Sequence, residues 1–438
     1  MKFRNYTGYH ETEQPGEDER LTHVLPGTPG GEYLRRFWQP VALETDVTDV
    51  PRLVRVLGEN LILFRDTSGR YGLLHRHCAH RQASLEYGKC EAKGLRCCYH
   101  GWLFDVDGAL LEAPAEPTDS PIFDKVRQPA YPVRICNGLI FAYLGPPETT
   151  PEFPVYDTFD LEDTVRVPYA FDYPCNWLQI IENAMDPVHS VFLHARVNGP
   201  SFTQAWGEFS IKRYYEDDTG FFYSNGRRVG DHVWVRMHHV IVPNMAQAGA
   251  VLSMTGDEPR YFGRPVFTRW VVPVDNENTR VIAWANFGPR SDAAKPEWMT
   301  PQSLEIIEGA EPRTRSRDEA IRKPGDYEAF VSMGPITRHA KEHLATSDKG
   351  VALFRRRLRN DIALVENGGE PARRRDPQPW PTYAGDTVLG LAKRDDDAAF
   401  VGYICDRVVE ILQQGDEATG PQRDDAMTRA LRALESSA

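Results

Sequence analysis

The sequence predicts an α+β protein with an all-β N-terminal domain and a C-terminal domain of antiparallel sheet with helices. Three observations support this prediction. The chain has 438 residues, which is long for a single hydrophobic core. Between about residues 41 and 150, short apolar runs alternate with turn residues, as in β-rich domains. From about residue 176 onward, helix-length segments appear among pairs of strand-like runs.

The first domain is predicted over residues 41–155, after a polar and then turn-rich N-terminal segment, residues 1–40. An Asn-Gly pair at 137–138 lies between the apolar runs Val133–Cys136 and Leu139–Leu144. Because Asn-Gly favours the tight turns of β-hairpins, these runs are predicted to pair. Further predicted strands are Leu53–Leu57, Asn60–Arg65 and Tyr71–Leu74.

The second domain is predicted over residues 156–438. Turn residues separate its paired strands, and amphipathic spacing marks its helices. The predicted strands are 209–215, 220–224, 232–242, 267–274 and 280–287, and the predicted helices include 176–195, 351–366 and 398–414. The final residues, 415–438, are polar and are predicted to be loosely ordered.

The charge and cysteine content restrict the class of protein. The 63 acidic residues outnumber 51 Lys and Arg, giving a net charge of −12, which argues against nucleic acid or anionic membrane as a partner. No apolar run is long enough to span a bilayer, and the N-terminus lacks the apolar core of a secretory signal. Seven cysteines at irregular spacing indicate reduced thiols. We therefore expect a cytoplasmic protein.

Two Cys-His pairs, Cys78-x-His80 and Cys97-x-x-His100, lie in Gly-containing loops between strand-like runs. A structural zinc site usually spaces each ligand pair by two or more residues, so the tighter first pair favours a Rieske [2Fe–2S] centre. There one iron binds two thiolates and the other binds two imidazoles, which raises the reduction potential to between about −150 and +300 mV. Cys98 forms a competing C-x-H pair with His100.

The stretch CAHRQASLEYGKCEAKGLRCCYHGWLFDVDG, residues 78–108, resembles the Rieske signature of ring-hydroxylating oxygenase large subunits, especially the phthalate dioxygenase-like family. Ala79 stands where that family usually has proline. The resemblance implies an all-β Rieske domain and a catalytic domain of the helix-grip type, an antiparallel sheet with helices. It also implies that Cys98 is a packed thiol and that four residues hold the cluster: Cys78, His80, Cys97 and His100.

Residues 172–194, DYPCNWLQIIENAMDPVHSVFLH, resemble the catalytic-iron segment of the same oxygenases, with the pattern E-N-x-x-D-x-x-H-x4-H. Two imidazoles and one carboxylate on one face of Fe(II) leave positions open for O2 and substrate. Residues five apart lie roughly 140° apart around an ideal helix. His189 and His194 therefore reach one iron only if the helix bends, and Pro187 gives a reason for a bend.

The resemblance places the carboxylate ligand at Asp326, in the acidic segment just before Ser332–Ile336. Two other carboxylates are alternatives: Glu328, two residues further on, and Asp361. Asp326 is also well placed to cap the helix that follows it, a purely structural role.

Two polar residues of the iron segment receive separate roles from the resemblance. Asp186 is expected to connect a histidine of the iron site to a cluster histidine of a neighbouring subunit, because the two sites within one chain are too far apart. Since Asp186 lies one helical turn before His189, a carboxylate-to-imidazole hydrogen bond is expected. Asn183 is expected to line the iron site. This arrangement implies a homotrimer or stacked trimers.

These expectations predict the terminal oxygenase component of a Rieske oxygenase system, with a [2Fe–2S] cluster and a mononuclear Fe(II). It would use O2 to hydroxylate or O-demethylate a small aromatic, carboxylated substrate. Electrons from NAD(P)H would come through a separate reductase, with or without a ferredoxin, because the chain has no G-x-G-x-x-G in a βαβ context. Candidates for binding the carboxylate are Ser190, Arg196, Arg213 and Arg236. The alternative is a Rieske electron-transfer protein without a catalytic iron.

Overall fold

The computed structural model describes residues 16–438 except 198–202, 251–253, 293–294, 296, 298, 306–314 and 373–377. Helices α1 (Glu19–Thr22) and α2 (Pro29–Leu34) precede the first strand. The side chain of Thr28 accepts a hydrogen bond from the Gly31 N–H and so caps the start of α2.

Short antiparallel strands form the N-terminal third of the described chain. They are β1 (Trp38–Leu43), β2 (Arg52–Val56), β3 (Glu59–Arg65), β4 (Tyr71–His75), β5 (Lys89–Glu91), β6 (Gly94–Arg96), β7 (Leu103–Phe104), β8 (Leu110–Glu112), β9 (Ala130–Tyr131), β10 (Val133–Cys136) and β11 (Leu139–Tyr143), with α3 (Ile122–Lys125) between β8 and β9. Their sheets have the orders β1-β11-β10, β2-β3-β4-β9 and β5-β6-β7-β8. As expected, the Asn-Gly pair at 137–138 joins β10 to β11, and both residues have positive φ.

One antiparallel sheet organises the rest of the described chain. Its strands are β12 (Val165–Tyr173), β13 (Ile211–Glu216), β14 (Gly220–Val229), β15 (His232–Ile241), β16 (Met245–Ala248), β17 (Arg260–Gly263), β18 (Phe267–Pro273), β19 (Thr279–Phe287) and β20 (Gly385–Gly390). The main path is β12-β19-β18-β16-β15-β14-β13, and β20 pairs with both β15 and β17. This all-antiparallel pairing, with helices on the sheet, gives the α+β class that the sequence predicts.

Helices cover both faces of this sheet. They are α4 (Trp177–Ile181), α5 (His189–Val191), α6 (Pro301–Glu305), α7 (Arg317–Arg322), α8 (Asp326–Ser332), α9 (Lys349–Glu366), α10 (Asp397–Gln414) and α11 (Gly420–Ser437). Side chains of α4, α8 and α9 share a core with Tyr223 and Trp234 of the sheet. Side chains of α10 and α11 pack with Phe222 and Val235, which point to the opposite face. Because successive side chains of a strand alternate, β14 and β15 supply both cores.

The prediction that residues 415–438 are loosely ordered is wrong. This segment contains α11, in which Met427, Leu431 and Leu434 are buried against the core that α10 completes. Those apolar residues are spaced by four and three positions and so form one narrow stripe on a mostly polar helix. A stripe of this width orders the segment only because a neighbouring element buries it.

Two further expectations concern membrane-spanning segments and the domain boundaries. In the described part of the chain, no helix combines the length and the apolar character needed to cross a bilayer. Strand β1 begins at Trp38, inside the predicted N-terminal segment, and pairs with β11. The domain boundaries at 40/41 and 155/156 stay predictions, and residues 1–15 of the predicted N-terminal segment lie outside the described residues.

Candidate metal centres

The two predicted cluster loops lie at neighbouring hairpin ends. Cys78 follows β4, and Cys97 follows β6 immediately. Both thiols are buried, at 1% and 2% exposure, whereas Cys98 is exposed. The expectation that Cys98 is a packed thiol is therefore wrong. Cys97 directly follows β6 and points into the core, whereas Cys98 begins the turn that leads to His100 and is open to solvent.

The two predicted histidine ligands face each other beside these thiols. The ring centroids of His80 and His100 are 4.6 Å apart, and His80 stacks on Trp102 at 4.3 Å with the ring planes 7° apart. Nδ1 of His80 is buried and makes no hydrogen bond with any residue that the structure describes. A buried ring nitrogen without a partner is unusual unless a metal occupies its lone pair.

The electrostatics of the thiols also fit a metal cluster. Burial and the neighbouring Cys97 together raise the pKa of Cys78 to about 11. Two adjacent buried thiols do not both ionise unless a cation compensates their charge, and thiolate is the form that binds metal. Two sulfur atoms and two imidazoles in this pocket therefore form a donor set that suits a Rieske cluster.

The predicted iron segment is a broken helix. Helix α4 ends at Ile181, a 3-10 turn covers Glu182–Met185, and α5 is followed by a π-helical turn at Phe192–Arg196. The expected break therefore lies around Pro187. The π turn was not predicted, yet it explains how residues five apart share a side. Its hydrogen bonds run from residue i to i+5, the spacing between the two histidines.

Asp326, the first residue of α8, lies against both histidines. Its Oδ1 atom is 3.3 Å from Nε2 of His194 and 3.9 Å from Nε2 of His189. One candidate ligand atom from each of the three residues lies within 4.8 Å of the others. Oδ1 of Asp326 is buried and accepts no well-formed hydrogen bond from the described residues. The structure thus brings together the facial set that the sequence suggested.

The alternative carboxylates are engaged elsewhere. Glu328 accepts hydrogen bonds from Arg315 and from the backbone of Gly325, and so caps α8 itself. Asp361 lies on α9 and pairs with Arg357 and with the hydroxyl of Tyr33. Neither carboxylate belongs to the group formed by the two histidines.

Protonation states in this group match those of metal ligands. Burial acts to raise the pKa of Asp326, but its interactions with His194, His189 and Arg269 outweigh burial and hold the pKa well below its usual range. Burial lowers the pKa of His189, which favours the neutral imidazole. One carboxylate and neutral imidazoles are the forms that bind Fe(II) in a facial triad.

The contact between Asp186 and His189 differs from the expected one. Nδ1 of His189 donates a short hydrogen bond to the backbone carbonyl of Asp186, and the carboxylate oxygen Oδ2 lies 3.9 Å away. The other carboxylate oxygen accepts the Val188 N–H at 2.8 Å. The carbonyl is closer because the chain turns at Pro187. Asp186 therefore keeps one carboxylate oxygen available, and its side chain is 28% exposed.

Asn183 and several residues outside the predicted set also lie near the iron segment. Asn183 lines a small cavity together with Asp326 and Arg269. Trp206 contacts the ring of His194 edge-on at 6.0 Å. Glu182 is buried in a pair with Arg355 of α9, whose Nη2 lies 2.6 Å from Glu182 Oε2. Glu182 was visible in the E-N-x-x-D pattern, but no local signal identified Arg355 as its partner.

The four candidates for binding a substrate carboxylate differ in burial and in their partners. Ser190 donates to the carbonyl of Pro187, and Arg196 and Arg213 are exposed. Arg236 is buried, stacks over Trp206 at 5.0 Å and pairs with Asp386 at 3.3 Å. The alternation of side chains along β14 also brings Arg227 to this face, and no local sequence pattern distinguishes Arg227 from its neighbours.

The chain is similar to proteins of known type along most of its length. Residues 37–132 match the family model described as Rieske [2Fe-2S] domain. The chain is 39% identical to the tert-butanol monooxygenase / tert-amyl alcohol desaturase oxygenase subunit of Aquincola tertiaricarbonis, over 99% of this chain and 97% of that protein. It is 41% identical to the phenoxybenzoate dioxygenase subunit alpha of Ectopseudomonas oleovorans, over 82% and 88% of the two chains.

A third relative and one solved structure are also similar to the chain. The phthalate 4,5-dioxygenase oxygenase subunit of Pseudomonas putida is 32% identical over 81% of this chain and 87% of its own. The NdmA QL mutant of Pseudomonas putida CBB5, solved with caffeine, shares the fold with a TM-score of 0.60 at 21% identity, over 78% and 94% of the two chains. The chain therefore belongs to the Rieske non-haem iron oxygenases, as a large subunit of the phthalate dioxygenase-like type with a [2Fe–2S] cluster and a mononuclear iron as its cofactors.

Proposed function

We propose that this terminal oxygenase acts on a small aromatic carboxylate, which it hydroxylates or O-demethylates. It receives electrons from NAD(P)H through a separate reductase, with or without a ferredoxin, and works in the cytoplasm as a homotrimer or stacked trimers. The observation that carries the proposal is the meeting of His189, His194 and Asp326 at one point. Phenoxybenzoate and phthalate, in the names of two relatives, are aromatic carboxylates and support the substrate class.

In this proposal Cys78, His80, Cys97 and His100 hold the cluster, and His189, His194 and Asp326 hold the iron. When bound, the cluster supplies an electron-transfer centre of raised potential, and the iron supplies a centre for O2 activation. Other residues of the chain orient the histidine ligands. The carbonyl of Asp186 takes the Nδ1–H of His189, which leaves the Nε2 lone pair directed at the metal position. Trp102 holds the ring of His80 in place by stacking.

A buried arginine near the iron segment supports the proposal that the substrate carries a carboxylate. Arg227 is 2% exposed, and among the described residues no carboxylate pairs with it. Its guanidinium donates to Asn225 Oδ1 at 2.8 Å and to the Ala205 carbonyl at 3.2 Å, and its Nε finds no hydrogen-bond partner in the described part of the chain. Burial and the neighbouring Arg236 lower the pKa of Arg227 to about 10, so it stays charged at neutral pH. The carboxylates of Asp386 and Glu208 act on Arg227 without forming an ion pair with it. A buried cation without a paired carboxylate favours an anionic ligand.

The position of Arg227 connects it with the iron site. Ala205, which accepts its hydrogen bond, precedes Trp206, whose ring contacts that of His194. Burial and the charges of Arg236, Arg269, His189 and Arg227 together hold the pKa of His238 well below its usual range. The sheet face beside the iron segment is therefore positively charged even though the whole chain is acidic.

We expect the change Arg227→Gln to raise the KM for aromatic acids by about 10- to 100-fold, because a hydrogen bond to a charged group is lost. The cluster and the iron should remain. The measurement compares apparent KM for benzoic acids and for the matching benzamides in coupled O2 uptake. The control is Arg228→Gln, since Arg228 points to the other face and pairs with Asp397 at 3.0 Å. Equal losses for acids and amides would remove the carboxylate role of Arg227.

Metal analysis separates the oxygenase from the alternative, a Rieske electron-transfer protein without a catalytic iron. We expect about three irons for every two acid-labile sulfides, because a two-iron cluster and one mononuclear iron are both present. Chelation should remove the third iron first, since it has only three protein ligands and open positions. A ratio of about two irons to two sulfides in freshly prepared, fully reconstituted protein would favour the electron carrier.

The substrate class is tested with a panel of aromatic acids and their methyl ethers, supplied with a surrogate reductase. Coupled O2 uptake and product mass identify hydroxylation or O-demethylation. The panel includes tert-butanol, because one relative is named for that substrate. Coupled turnover of aromatic acids supports the proposal. Turnover of tert-butanol with none of any aromatic acid would contradict the substrate class and leave the oxygenase family unaffected.

A further inference from the structure

The side-chain amide of Gln128 lies behind the first cluster loop and makes three hydrogen bonds to its backbone. Its side chain is 1% exposed. Oε1 accepts the backbone N–H of Ala79 at 2.7 Å, and Nε2 donates to the carbonyls of His75 at 2.9 Å and His77 at 3.0 Å. Since two contacts go to carbonyls and one to an N–H, only one orientation of the amide satisfies all three.

The backbone of Gln128 is fixed independently of the cluster loop. Its N–H donates to the carbonyl of Gly108 at 2.8 Å, and the next residue, Pro129, accepts the His75 N–H at 2.8 Å. Gly108 lies in the turn of the β7–β8 hairpin, just after the second cluster loop. A Cβ atom at Gly108 would lie 1.9 Å from the Gln128 carbonyl oxygen, and φ there is +85°. Glycine therefore permits this close approach.

The loop that Gln128 holds is otherwise closed mainly on itself. Cys78 N–H donates to the Ala83 carbonyl, and Gln82 N–H donates to the Cys78 carbonyl, both at 2.9 Å. The residue between the two candidate ligands, Ala79, donates outward to Gln128 instead. A displacement of Ala79 would move Cys78 and His80 together, because they are its chain neighbours. The contact thus acts at the centre of the C-x-H pair.

We infer that Gln128 is a positioning residue for the Rieske cluster: its amide fixes the Cys78–His80 turn in ligating geometry and ties it to the hairpin that follows the second ligand loop. The inference rests on the proposed ligand set. The hydrogen bonds of the Gln128 amide all go to backbone atoms and none goes to a candidate sulfur or imidazole. The hydrogen bond from Ala79 exists because residue 79 has an N–H, which a proline would lack.

The test follows cluster retention and spectroscopy rather than turnover. In Gln128→Met the three hydrogen bonds are lost at nearly constant volume, and we expect the cluster to bleach about 10-fold faster with a chelator. The electron paramagnetic resonance spectrum of the reduced cluster should broaden. Gln128→Asn keeps the amide but is one methylene shorter, and we expect an intermediate bleaching rate. That variant preserves the test if Gln128→Met does not fold.

Matched substitutions of Gln39 are the control. Gln39 is fully buried, donates to the Leu34 carbonyl and accepts from Asn244, and belongs to β1 away from the cluster loops. Gln39→Met and Gln39→Asn should bleach within about 2-fold of wild type, because outer-shell effects require contact with the ligand loop. Equal bleaching in the Gln39 and Gln128 variants would indicate general destabilisation and overturn the positioning role.

A double-mutant cycle with Ala79→Pro isolates the contact itself. Proline removes the N–H, so Gln128→Met should accelerate bleaching less in the Ala79→Pro background than in wild type. Fully additive effects would show that Gln128 does not act through Ala79. Cys78→Ser is the reference for the ligand set. If Cys78→Ser loses the cluster and both Gln128 variants bleach at the wild-type rate, only the positioning role of Gln128 is refuted. If Cys78→Ser retains the cluster, the proposed ligand set is refuted.

Discussion

Asp326→Ala is expected to abolish both the mononuclear iron and all product formation while leaving the Rieske absorbance unchanged. The carboxylate supplies one of three protein ligands, and two imidazoles alone do not hold Fe(II) firmly. Its Oδ1 atom is buried and lies against both histidines, so no other described carboxylate can replace it without a rearrangement. The measurement is the iron-to-sulfide ratio, which should fall from about three to about two irons per two sulfides.

The matched control for this loss is Glu328→Ala, two residues further along α8. Glu328 pairs with Arg315 and caps the helix, so its removal should lower stability by about 0.5–2 kcal/mol, the usual cost of a lost cap. It should retain the iron. Full iron and activity in Asp326→Ala, together with their loss in Glu328→Ala or Asp361→Ala, would show that the ligand assignment is wrong.

Features set by local spacing could be predicted from the sequence. The Asn-Gly hairpin at 137–138 depends on two residues that readily adopt positive φ. The C-x-H and C-x-x-H pairs bring their ligands together within short loops, so spacing alone nearly defines each half of the cluster site. Asp326 required more, because 132 residues separate it from His194. Only the resemblance to a family connected the two.

Partners from distant segments could not be predicted from the sequence. Gln128 lies far along the chain from Ala79, and Arg355 lies far from Glu182, so neither pair leaves a local pattern. Arg227 appears as an ordinary strand residue until the structure shows that it is buried and forms no ion pair with a described carboxylate. The helix at the C-terminus was missed for a related reason, because its narrow apolar stripe gains stability only from tertiary packing.

The iron segment shows how backbone detail changes a prediction about a side chain. An ideal helix would place the Asp186 carboxylate beside His189, whereas the break at Pro187 brings the Asp186 carbonyl there instead. The orientation of His189 therefore does not require the charge of Asp186. This separation allows an electron-transfer role for the carboxylate to be tested without disturbing the iron ligands.

Asp186→Asn is expected to hold both metals and to slow electron transfer between them by about 100-fold, at the upper end of outer-shell effects. Asparagine keeps the Oδ1 atom that accepts the Val188 N–H, and the backbone carbonyl continues to orient His189. Only the charge and the available Oδ2 oxygen change. If that oxygen bridges to a cluster histidine of a neighbouring subunit, the path is interrupted while both metal sites stay intact.

The measurement is stopped-flow re-oxidation of the chemically pre-reduced cluster with substrate and O2, with metal content and the mass of the assembly in solution determined on the same preparation. Asp348→Asn is the matched control. Asp348 lies close enough to Tyr214 to raise its pKa, as Asp186 does, but its carboxylate caps the Ala345 N–H at 2.7 Å. If removal of a negative charge were the only cause, re-oxidation would slow similarly in both variants. If Asp186 forms the bridge, re-oxidation slows in Asp186→Asn only. A wild-type rate in a fully loaded preparation of Asp186→Asn would eliminate the bridging role, because the carboxylate would then be dispensable for a step that it is proposed to carry.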